Sequence, residues 1–425
     1  MSGRGHWQSN RPANSSPYLT VPEAWAVFAQ RVKPLTEVEW QALAGLPGRT
    51  LALPVTARSA LPRFDRAAMD GYAVRAQDLP GRLAVIATGA AGEPPATVGP
   101  GQAARVLTGA PLPVGADTVV EQEQVTVEDS AVGRFVTVAQ AYGPGRNIAR
   151  RGGEVAPGTT VLEAGQRLTA VDVGLLAGIG ELGAWVVRRP QVLLAVTGDE
   201  VVPSGLSGIG RAQIFDSNGP LLRALLEQAG AVPIGPFYVP DRPRALAHLF
   251  NQARRIPVDL VLTTGGVSVG DRDWMVHVVE RMGEVWFWRL DMHPGKAVAA
   301  GAVGGRPVLA LSGNPAAALM GFTLLAVPLL ARLQGGQARP HSVWGRLRHP
   351  FPKPTRETRY LRVRIESDPG GLWFDWSLDQ SSDVLRSWSA ADALAIVPRG
   401  SGPLPAETPL EAWLLPKGLG RGGVE

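Results

Sequence analysis

Hydrophobic and polar residues alternate along the middle of the chain in a pattern that predicts strands and helices in turn. The apolar runs QVLLAVT, PIGPFYV, VDLVLTT and PVLALS are typical of buried strands. Between and after them, NGPLLRALLEQAGA, RPRALAHLFNQARR, WMVHVVERMG and PAAALMGFTLLAVPLLARL have the spacing of amphipathic or buried helices. This alternation predicts βαβ units on a parallel sheet, and ligands of such sheets bind beyond the carboxyl ends of the strands.

The regions that flank this α/β segment have a different pattern. Residues 21–46 look helical, with Thr20 and Thr36 as candidate N-caps, and residues 170–177 predict another helix. Short β-branched stretches between them, such as LAVIAT and RFVTVA, are separated by Gly/Pro turns and predict a small β-rich domain. The tail from about residue 335 again reads as short strands, which predicts a β-barrel or a sandwich.

These changes of pattern predict the domain organisation. Residues 1–17 form a disordered polar lead, and 18–47 together with 145–188 form a helix-containing elongated domain. Residues 48–144 form a β-rich domain inserted into it, 189–334 the α/β domain, and 335–425 a C-terminal β domain. A chain of 425 residues is long enough for such a multidomain arrangement.

Composition narrows the possible chemistry. The chain has no cysteine, which excludes disulfides, thiolate nucleophiles and zinc-thiolate sites, so a metal would be a hard cation on carboxylate oxygens. The net charge of +5 comes with dispersed arginines, a pattern that fits a small polyanionic ligand at least as well as nucleic acid and that for most of these arginines indicates only a solvated surface. The longest apolar stretch, MGFTLLAVPLLA, is shorter than the ~20 residues of a membrane span, and the N-terminus lacks a secretory core. We therefore expect a cytoplasmic protein without membrane or nucleic-acid partners.

Three predicted strands end in turns rich in glycine, hydroxyl groups and acids. One continues into TGDE (197–200), the second into TTGGVSVGDRD (263–273), and the third into SGNP (312–315). Because crowded carboxylates need a counter-charge, the acids near these ends, which are Asp199, Glu200, Asp216, Asp271 and Asp273, predict a divalent cation. Magnesium typically takes one or two carboxylates together with substrate phosphates. Asp199 and Asp271 are alternatively helix caps or turn formers.

Other site motifs are absent or incomplete. There is no GxxxxGK[ST] P-loop and no GxGxxG after a strand. The nominal nucleophile elbow around Ser268 would need a well-placed histidine, for which His277 and His293 are candidates. Lys296, on the Pro294-Gly295 turn, is either a surface residue or a fixed positive charge for a phosphate or another oxyanion.

Taken together and in their order, the motifs closely resemble those of the molybdopterin molybdenumtransferase family, which comprises bacterial MoeA and the C-terminal part of gephyrin. The similarity begins at about Tyr18 and covers nearly the whole chain. It includes AAMDGYA (67–73), TGAPLP (108–113) with GADTVV (115–120), and GRNIARRGGEV (145–155). TGDE, DSN (216–218), TTGGVSVGDRD, PGK (294–296) and SGNP complete the series.

This resemblance implies a fold and a reaction. The fold is a three-layer α/β/α molybdopterin-binding domain with an inserted β-rich domain, a helix-containing linker domain and a C-terminal β-barrel. The reaction inserts molybdenum from molybdate into adenylylated molybdopterin, depends on Mg²⁺ and releases AMP. A homodimer is implied, with transient contact to the molybdopterin adenylyltransferase.

The resemblance also implies functional residues, carried over by motif. The catalytic candidates are Asp70, Thr108, Glu154, Glu200, Asp241, Asp273 and Lys296, and the first three face the partner subunit's site in this family. Glu200 and Asp273 are the implied metal ligands. The implied ligand-binding residues are Thr197, Gly198, Asp216, Asn218, Gly265, Gly266, Ser268, Gly270, Pro294, Gly295, Ser312, Gly313, Asn314 and Pro315.

Several positions depart from the family pattern. His293 replaces the first lysine of KPGKP and Ala297 its second proline, while Ser312 and Ala317 change the LPGNP motif and its following serine. Ala67 stands where serine is usual, and Glu154 where aspartate is usual. Two alternatives remain open. One is the related adenylyltransferase chemistry, which needs the α/β domain alone. The other is a divergent paralogue that handles tungsten, or that binds molybdopterin as a non-catalytic dimeric scaffold.

Overall fold

The structure is a computed structural model that describes residues 18–267, 274–337 and 339–415. The chain divides into two compact units. The first contains residues 1–37 and 187–425, and the second contains Val38–Val186. Each unit has its own hydrophobic cores. The finer division into domains stays a prediction.

The helices of the described residues lie mostly in the first unit. They are α1 (Val21–Arg31), α2 (Ala170–Gly178), α3 (Asn218–Gln228), α4 (Pro243–Ala253), α5 (Met275–Met282), α6 (Pro315–Gly321) and α7 (Val327–Leu333). A π-helical segment, Phe322–Ala326, joins α6 to α7. Short 3-10 turns occur at Leu43–Gly45, Ala76–Asp78, Gln122–Gln124 and Trp388–Ala390.

The strands fall into two groups, one for each unit, with a boundary in β12. Those that begin in the second unit are β1 (Val38–Ala42), β2 (Val55–Thr56), β3 (Arg66–Ala67), β4 (Gly71–Val74), β5 (Gly81–Gly89), β6 (Gln102–Val106), β7 (Thr118–Glu121), β8 (Val125–Ser130), β9 (Gly133–Val138), β10 (Ile148–Ala149), β11 (Thr160–Leu162) and β12 (Gly183–Val187). Those of the first unit are β13 (Gln191–Thr197), β14 (Val201–Val202), β15 (Ile214–Phe215), β16 (Val232–Val239), β17 (Leu260–Thr264), β18 (Gly283–Trp288), β19 (Ala299–Val303), β20 (Arg306–Leu311), β21 (Ser342–Leu347), β22 (Arg359–Asp368), β23 (Gly371–Asp375), β24 (Ala393–Val397) and β25 (Pro409–Leu414).

A six-stranded sheet in the order β16-β13-β17-β20-β19-β18 forms the centre of the first unit. The first four strands are parallel, as the alternating pattern predicts, whereas β19 runs antiparallel to both of its neighbours, β20 and β18. Helices α1, α3, α6 and α7 pack into one core cluster, and α4 and α5 pack into another. The three-layer α/β/α prediction is therefore confirmed, because apolar strands that are buried on both faces need helices on each side.

Residues Pro315–Leu333 form one continuous helical stretch of 19 residues that is apolar enough to cross a membrane by length and composition. The helix continues through Pro328, as the pattern PAAALMGFTLLAVPLLARL predicts, and so extends beyond the shorter apolar run MGFTLLAVPLLA. Pro328 lies near the start of α7, and the π-helical turns precede it. Most of the stretch, 78% of its most apolar window, is buried inside the protein, as expected for a core helix.

The predicted helical pattern over residues 21–46 is only partly right. Helix α1 begins as expected, because Thr20 and Glu23 form a reciprocal capping box. Beyond it, Val38–Ala42 is a strand rather than a helix, and Thr36 caps no helix. Strand β1 pairs with β12 in a two-stranded sheet. Pairing with a strand almost 150 residues away is a long-range interaction, and such tertiary context overrides a weak local helix pattern.

The C-terminal strands close a five-stranded barrel in the order β21-β23-β22-β24-β25. Its interior contains Leu347, Val363, Phe374, Ala395 and Leu410, all buried. Between the sandwich and barrel alternatives, the barrel is thus the observed fold. A sheet that closes on itself leaves no exposed edge strand.

The second unit has a six-stranded sheet in the order β7-β4-β6-β5-β9-β8. Helix α2 starts with another capping box, in which Asp172 pairs with Thr169. Its buried Leu176 packs with Leu46, Leu51 and Leu168 in a separate core cluster. The predicted β-rich region and its following helix are therefore present.

Candidate active site

The carboxyl ends of three neighbouring parallel strands are connected by threonine hydroxyls. At the end of β13, Thr197 Oγ1 donates a hydrogen bond to the carbonyl oxygen of Thr264, over 3.1 Å. At the end of β17, Thr264 Oγ1 donates to the carbonyl oxygen of Ser312, over 2.9 Å. Both threonines are buried. Hydroxyl groups that satisfy buried carbonyl oxygens fix the turns that follow these strands.

Asn218, the first residue of α3, extends this network. Its Nδ2 donates to Thr264 Oγ1 at 3.0 Å and to the carbonyl oxygen of Gly313 at 2.7 Å. The side chain is buried and does not line the cleft described below. Asn218 therefore positions the 312–314 turn, and the ligand contact that the resemblance implies for it stays a prediction.

Gly265 shows why glycine stands directly after β17. Its φ is +93°, in the region that favours glycine, and a Cβ would lie 2.8 Å from the carbonyl oxygen of Thr197. Any side chain at this position would push apart the ends of β13 and β17. The TTGG turn thus keeps its backbone close to its neighbour and open towards solvent on the other side.

A cleft of about 430 Å³ lies over these strand ends. It brings together most of the candidates from the three strand-end motifs and the PGK turn. Its lining consists of Thr197, Glu200, Asp241, Gly265, Gly266, Val267, His293, Pro294, Gly295, Lys296, Ala297, Ser312, Gly313, Asn314, Ala317 and Ser382. Ser268, Gly270, Asp271 and Asp273 lie outside the described residues, so their predicted roles stay predictions. Gly198 and Pro315 do not line the cleft.

Lys296 carries the ammonium group of this cleft. Its Nζ donates to Glu357 Oε1 at 2.7 Å, and the two side chains are 36% and 28% exposed. The ammonium also lies 4.7 Å from the centre of the Tyr18 ring, within the range of a cation–π contact. The hydrogen bond to Lys296 holds the pKa of Glu357 below its ordinary value, so this pair is ionised at neutral pH.

His293 lies on the same loop and faces basic neighbours. Burial lowers the pKa of its imidazole, and the positive charge of Arg359 lowers it further. The imidazole is therefore neutral at pH 7. At this position a lysine of the family pattern would supply a second ammonium, so the cleft of this chain is less positive than that pattern implies.

Two features near the cleft come from the C-terminal barrel and had no signal in the sequence. Ser382 accepts a 3.0 Å hydrogen bond from Asn314 Nδ2 through its hydroxyl, and its carbonyl accepts one from the Ala317 backbone N–H. Arg362, which is 0% exposed, donates to the carbonyl oxygens of Asp379 and Ser381. Burial lowers the pKa of Arg362 to about 10, so the guanidinium stays charged at pH 7. The barrel thus contributes a buried positive charge close to the segment that lines the cleft.

Asp216 binds the backbone at the start of helix α3. Both of its carboxylate oxygens accept from the backbone N–H of Gly219 in the first turn of α3, and Oδ2 also accepts from the Tyr238 hydroxyl. The carboxyl group is buried and away from the cleft lining. Burial, followed by the charge of Asp216, raises the pKa of Tyr238 to about 12. Asp216 therefore holds the start of α3, on which Asn218 lies.

In the second unit, two candidates lie together. Asp70 Oδ1 accepts from the hydroxyl of Thr108 at 2.6 Å and from its backbone N–H at 2.7 Å. These hydrogen bonds hold the pKa of the exposed Asp70 carboxyl below its ordinary value. Glu154 is exposed, and its backbone N–H donates to Leu61. Asp70 and Thr108 thus form a fixed anionic group on the surface of this unit.

The acids that line the cleft bear on whether it can hold magnesium. The described residues contain no group of three or more His, Asp or Glu side chains arranged around a metal position. Glu200 and Asp241 do line the same cleft. Because Mg²⁺ is usually bound by one or two carboxylates plus substrate phosphates and water, this donor set fits the ion.

A three-layer α/β/α unit with its cleft at the carboxyl ends of the parallel strands, followed by a β-barrel, is typical of proteins that bind a ligand at that edge of the sheet. Within that class, three family descriptions match the chain. They are the MoeA N-terminal region (domains I and II) over residues 19–180, a probable molybdopterin-binding domain over 194–332, and the MoeA C-terminal region (domain IV) over 344–415.

Relatives of known name agree with these matches. The chain is 36% identical over 320 residues to the molybdopterin molybdenumtransferase of Haemophilus influenzae, covering 75% of this chain and 78% of the relative. It is 34% identical over 377 residues to that of Bacillus subtilis, covering 86% and 87%. Two structures of the molybdopterin biosynthesis MoeA protein from Pyrococcus horikoshii superpose with TM-scores of 0.75 and 0.79. Their identities are 31% and 27%, and they cover 93% and 94% of this chain and 99% and 100% of their own. The chain belongs to the molybdopterin molybdenumtransferase family.

Proposed function

We propose that this protein inserts molybdenum from molybdate into adenylylated molybdopterin, in a magnesium-dependent reaction that releases AMP. The observation that carries the proposal is the cleft over the ends of β13, β17 and β20, in which glycine turns, two carboxylates and one ammonium face the same space. A substrate that ends in a nucleotide phosphoanhydride and accepts an oxyanion needs these groups together.

The glycine turns suit the nucleotide and phosphate part of the substrate. Gly265 and Gly266 line the cleft without a side chain, and Ser312 and Asn314 on the neighbouring turn offer hydroxyl and amide groups. Anionic groups bind well against backbone N–H groups at such turns. This arrangement orients the phosphoanhydride in the cleft, away from bulk water.

The oxyanion end is assigned to the loop that contains Lys296. A lysine ammonium is a compact point charge with three N–H donors, and a molybdate dianion has only oxygen acceptors. The Ser382 hydroxyl lies in the same cleft, and the Arg362 guanidinium adds positive charge behind the 379–381 segment. These groups hold and orient the oxyanion through charge and hydrogen bonds.

Glu200 and Asp241 are the described residues that would hold magnesium, together with Asp273 as implied by the family motif. The ion, when bound, neutralises the charge of the phosphates and favours cleavage of the anhydride. The carboxylates orient it, while the glycine turns keep the substrate phosphates next to them.

A homodimer is part of the proposal. Asp70, Thr108 and Glu154 are surface residues of the second unit, and the resemblance implies that they complete the cleft of the partner subunit. The rigid Asp70–Thr108 pair supports this role, because a carboxylate held by two short hydrogen bonds is a preorganised polar group. An adenylyltransferase must supply the substrate, since the acceptor already carries a nucleotide.

The test uses the full-length protein with adenylylated molybdopterin, Mg²⁺ and molybdate. We expect stoichiometric AMP release together with a product that activates a cofactor-free molybdoenzyme. Glu200→Gln should remove both signals while the variant stays folded. AMP release that needs no oxyanion, or no release at all, would overturn the proposal.

A second candidate rests on His293, where the family lysine is absent. If tungstate supports faster AMP release than molybdate, the protein is a tungsten-handling paralogue. If substrate binds without turnover, even in the His293→Lys variant, the protein is a non-catalytic molybdopterin-binding dimer.

A further inference from the structure

The cation that the cleft offers to an oxyanion already has an anionic partner. Lys296 Nζ lies 2.7 Å from Glu357 Oε1, which is the distance of a charge-assisted hydrogen bond. The other contact of the ammonium is the face of the Tyr18 ring, 4.7 Å away. An oxyanion that approaches Lys296 therefore meets a carboxylate at the same nitrogen.

Backbone contacts fix Glu357 in this position. The His293 backbone N–H donates to the carbonyl oxygen of Thr358 at 2.9 Å, and the Tyr360 N–H donates to the carbonyl oxygen of His293 at 3.0 Å. These two bonds join the 291–298 loop to the start of β22 as a short parallel bridge between His293 and Arg359. Because Glu357 and Lys296 lie on the two sides of this bridge, their side chains meet without a long flexible segment between them.

The charges around Glu357 keep it ionised. Its charged neighbours include the ammonium of Lys296 and the guanidinium of Arg399. Arg399 is itself paired with Asp291, over 3.1 Å. Lys296 is the first cause of the lowered pKa of Glu357, so the carboxylate is fully charged at the pH at which the protein would work.

We propose that Glu357 is a positioning residue that competes with the oxyanion for Lys296 and so weakens oxyanion binding in this cleft. This rests on the proposed function, in which Lys296 contacts the oxyanion. A dianion has to share or displace the carboxylate, and it stays close to a like charge that water screens only in part. With His293 neutral, the same loop offers no second ammonium to offset that repulsion.

The alternative is that Glu357 supports oxyanion binding by holding Lys296 in place. If the ion pair served only to hold Lys296 in place, its loss would leave the ammonium disordered and oxyanion binding would weaken. The sign of the change in affinity on removing the Glu357 charge therefore separates competition from simple support.

The measurement is the dissociation constant for molybdate alone, by calorimetry on full-length protein, with no pterin substrate present. Glu357→Gln keeps the shape of the side chain and removes its charge. We expect molybdate to bind about three- to tenfold more tightly to this variant, as removal of one nearby like charge predicts. The KM for molybdate should fall by a similar factor, and kcat should change less than KM.

A matched control removes a carboxylate from a different ion pair. Glu366 on β22 pairs with Arg348 over 3.3 Å and does not line the cleft. Glu366→Gln should bind molybdate as the wild type does. Thermal unfolding of both variants checks that the glutamine substitutions leave the protein folded.

Lys296→Met separates this inference from the proposed function. If Lys296→Met binds molybdate as well as the wild type, the oxyanion contact itself is wrong and both proposals fail at this residue. If Lys296→Met loses binding while Glu357→Gln binds equally or more weakly than the wild type, the competition by Glu357 alone is overturned.

Discussion

Two ion pairs of the same length lie at opposite ends of the central sheet. At the amino end, Arg188 Nη1 lies 2.7 Å from Asp259 Oδ2, and at the carboxyl end Lys296 Nζ lies 2.7 Å from Glu357 Oε1. The first pair is bidentate, with a second bond of 2.9 Å, and Asp259 also accepts from the backbone N–H of Gln191. The second pair has one hydrogen bond.

The difference between the pairs lies in their remaining hydrogen-bonding capacity. Asp259 is 12% exposed. It directly precedes β17 and bonds to Arg188 and to the first residue of β13, so it connects the starts of these two strands. Lys296 is 36% exposed and opens into a cleft. Equal distances thus accompany different surroundings: the saturated pair joins the strand starts, and the pair with spare donors faces the cleft.

The largest effect that we expect is the loss of turnover on removing the Lys296 ammonium. Lys296→Met should reduce turnover by about 100- to 1000-fold, since it removes a preorganised cation from the reacting oxyanion. Its free energy of unfolding should change by less than about 1 kcal/mol, because a half-exposed ion pair contributes little to stability. AMP release and urea unfolding measure the two quantities. A loss of stability that matches the loss of turnover would break the comparison.

Arg188→Met should have the opposite profile. Removing the guanidinium leaves the Asp259 carboxylate mostly buried without its cation, which costs about 2–3 kcal/mol in the free energy of unfolding. Turnover per folded molecule should stay within about twofold, because the pair lies at the far end of the strands from the cleft. Urea unfolding measures the free energy of unfolding. AMP release, at a temperature at which the variant is fully folded, measures the turnover. An unchanged unfolding free energy would show that the pair is dispensable.

Much of the fold could be predicted because its signals are local. The run VDLVL predicts a strand, and the capping box at Thr20 predicts a helix start, each within a few residues. The error at Val38–Ala42 arises because that strand depends on β12, far along the chain. The antiparallel direction of β19, between β20 and β18, likewise depends on pairing that no short segment encodes.

The candidate site could be predicted where sequence motifs follow the ends of the parallel strands. Thr197, Gly265 and Gly313 meet because parallel strands place their carboxyl ends at one edge of the sheet. Glu357 and Ser382 lie in loops of the C-terminal barrel and have no pattern of their own. Their position depends on how β22 meets the 291–298 loop, which is a property of tertiary packing alone.

The network beneath the cleft provides a test of intermediate size. Asn218→Leu removes the donor to Gly313 and Thr264 and breaks a part-buried and a buried hydrogen bond, so we expect a loss of about 1–2 kcal/mol in the free energy of unfolding. Displacement of the 312–314 turn should also raise the KM for the adenylylated substrate several-fold. Thr323→Val, which removes a buried hydroxyl bonded within the same helix to Leu319, is the control and should leave that KM unchanged. A KM at the wild-type value in Asn218→Leu would mean that the turn keeps its position without the amide.

The smallest expected effect comes from His293 and concerns pH. Burial and the charges of Arg359, Arg362 and Lys296 lower the folded-state pKa of this imidazole, while Glu357 opposes them. When unfolded, the residue takes up a proton near pH 6.5, but in the folded protein it stays neutral at that pH. The unfolded state therefore binds more protons, and stability decreases as the pH falls through and below 6.5. His293→Gln should show a shallower loss of unfolding free energy between pH 7.5 and 5.5, measured by urea unfolding, whereas His341→Gln, which changes an exposed histidine, should follow the wild type. Equal slopes in all three proteins would mean that the imidazole titrates in the folded protein as it does in the unfolded chain, so that its burial does not lower its pKa.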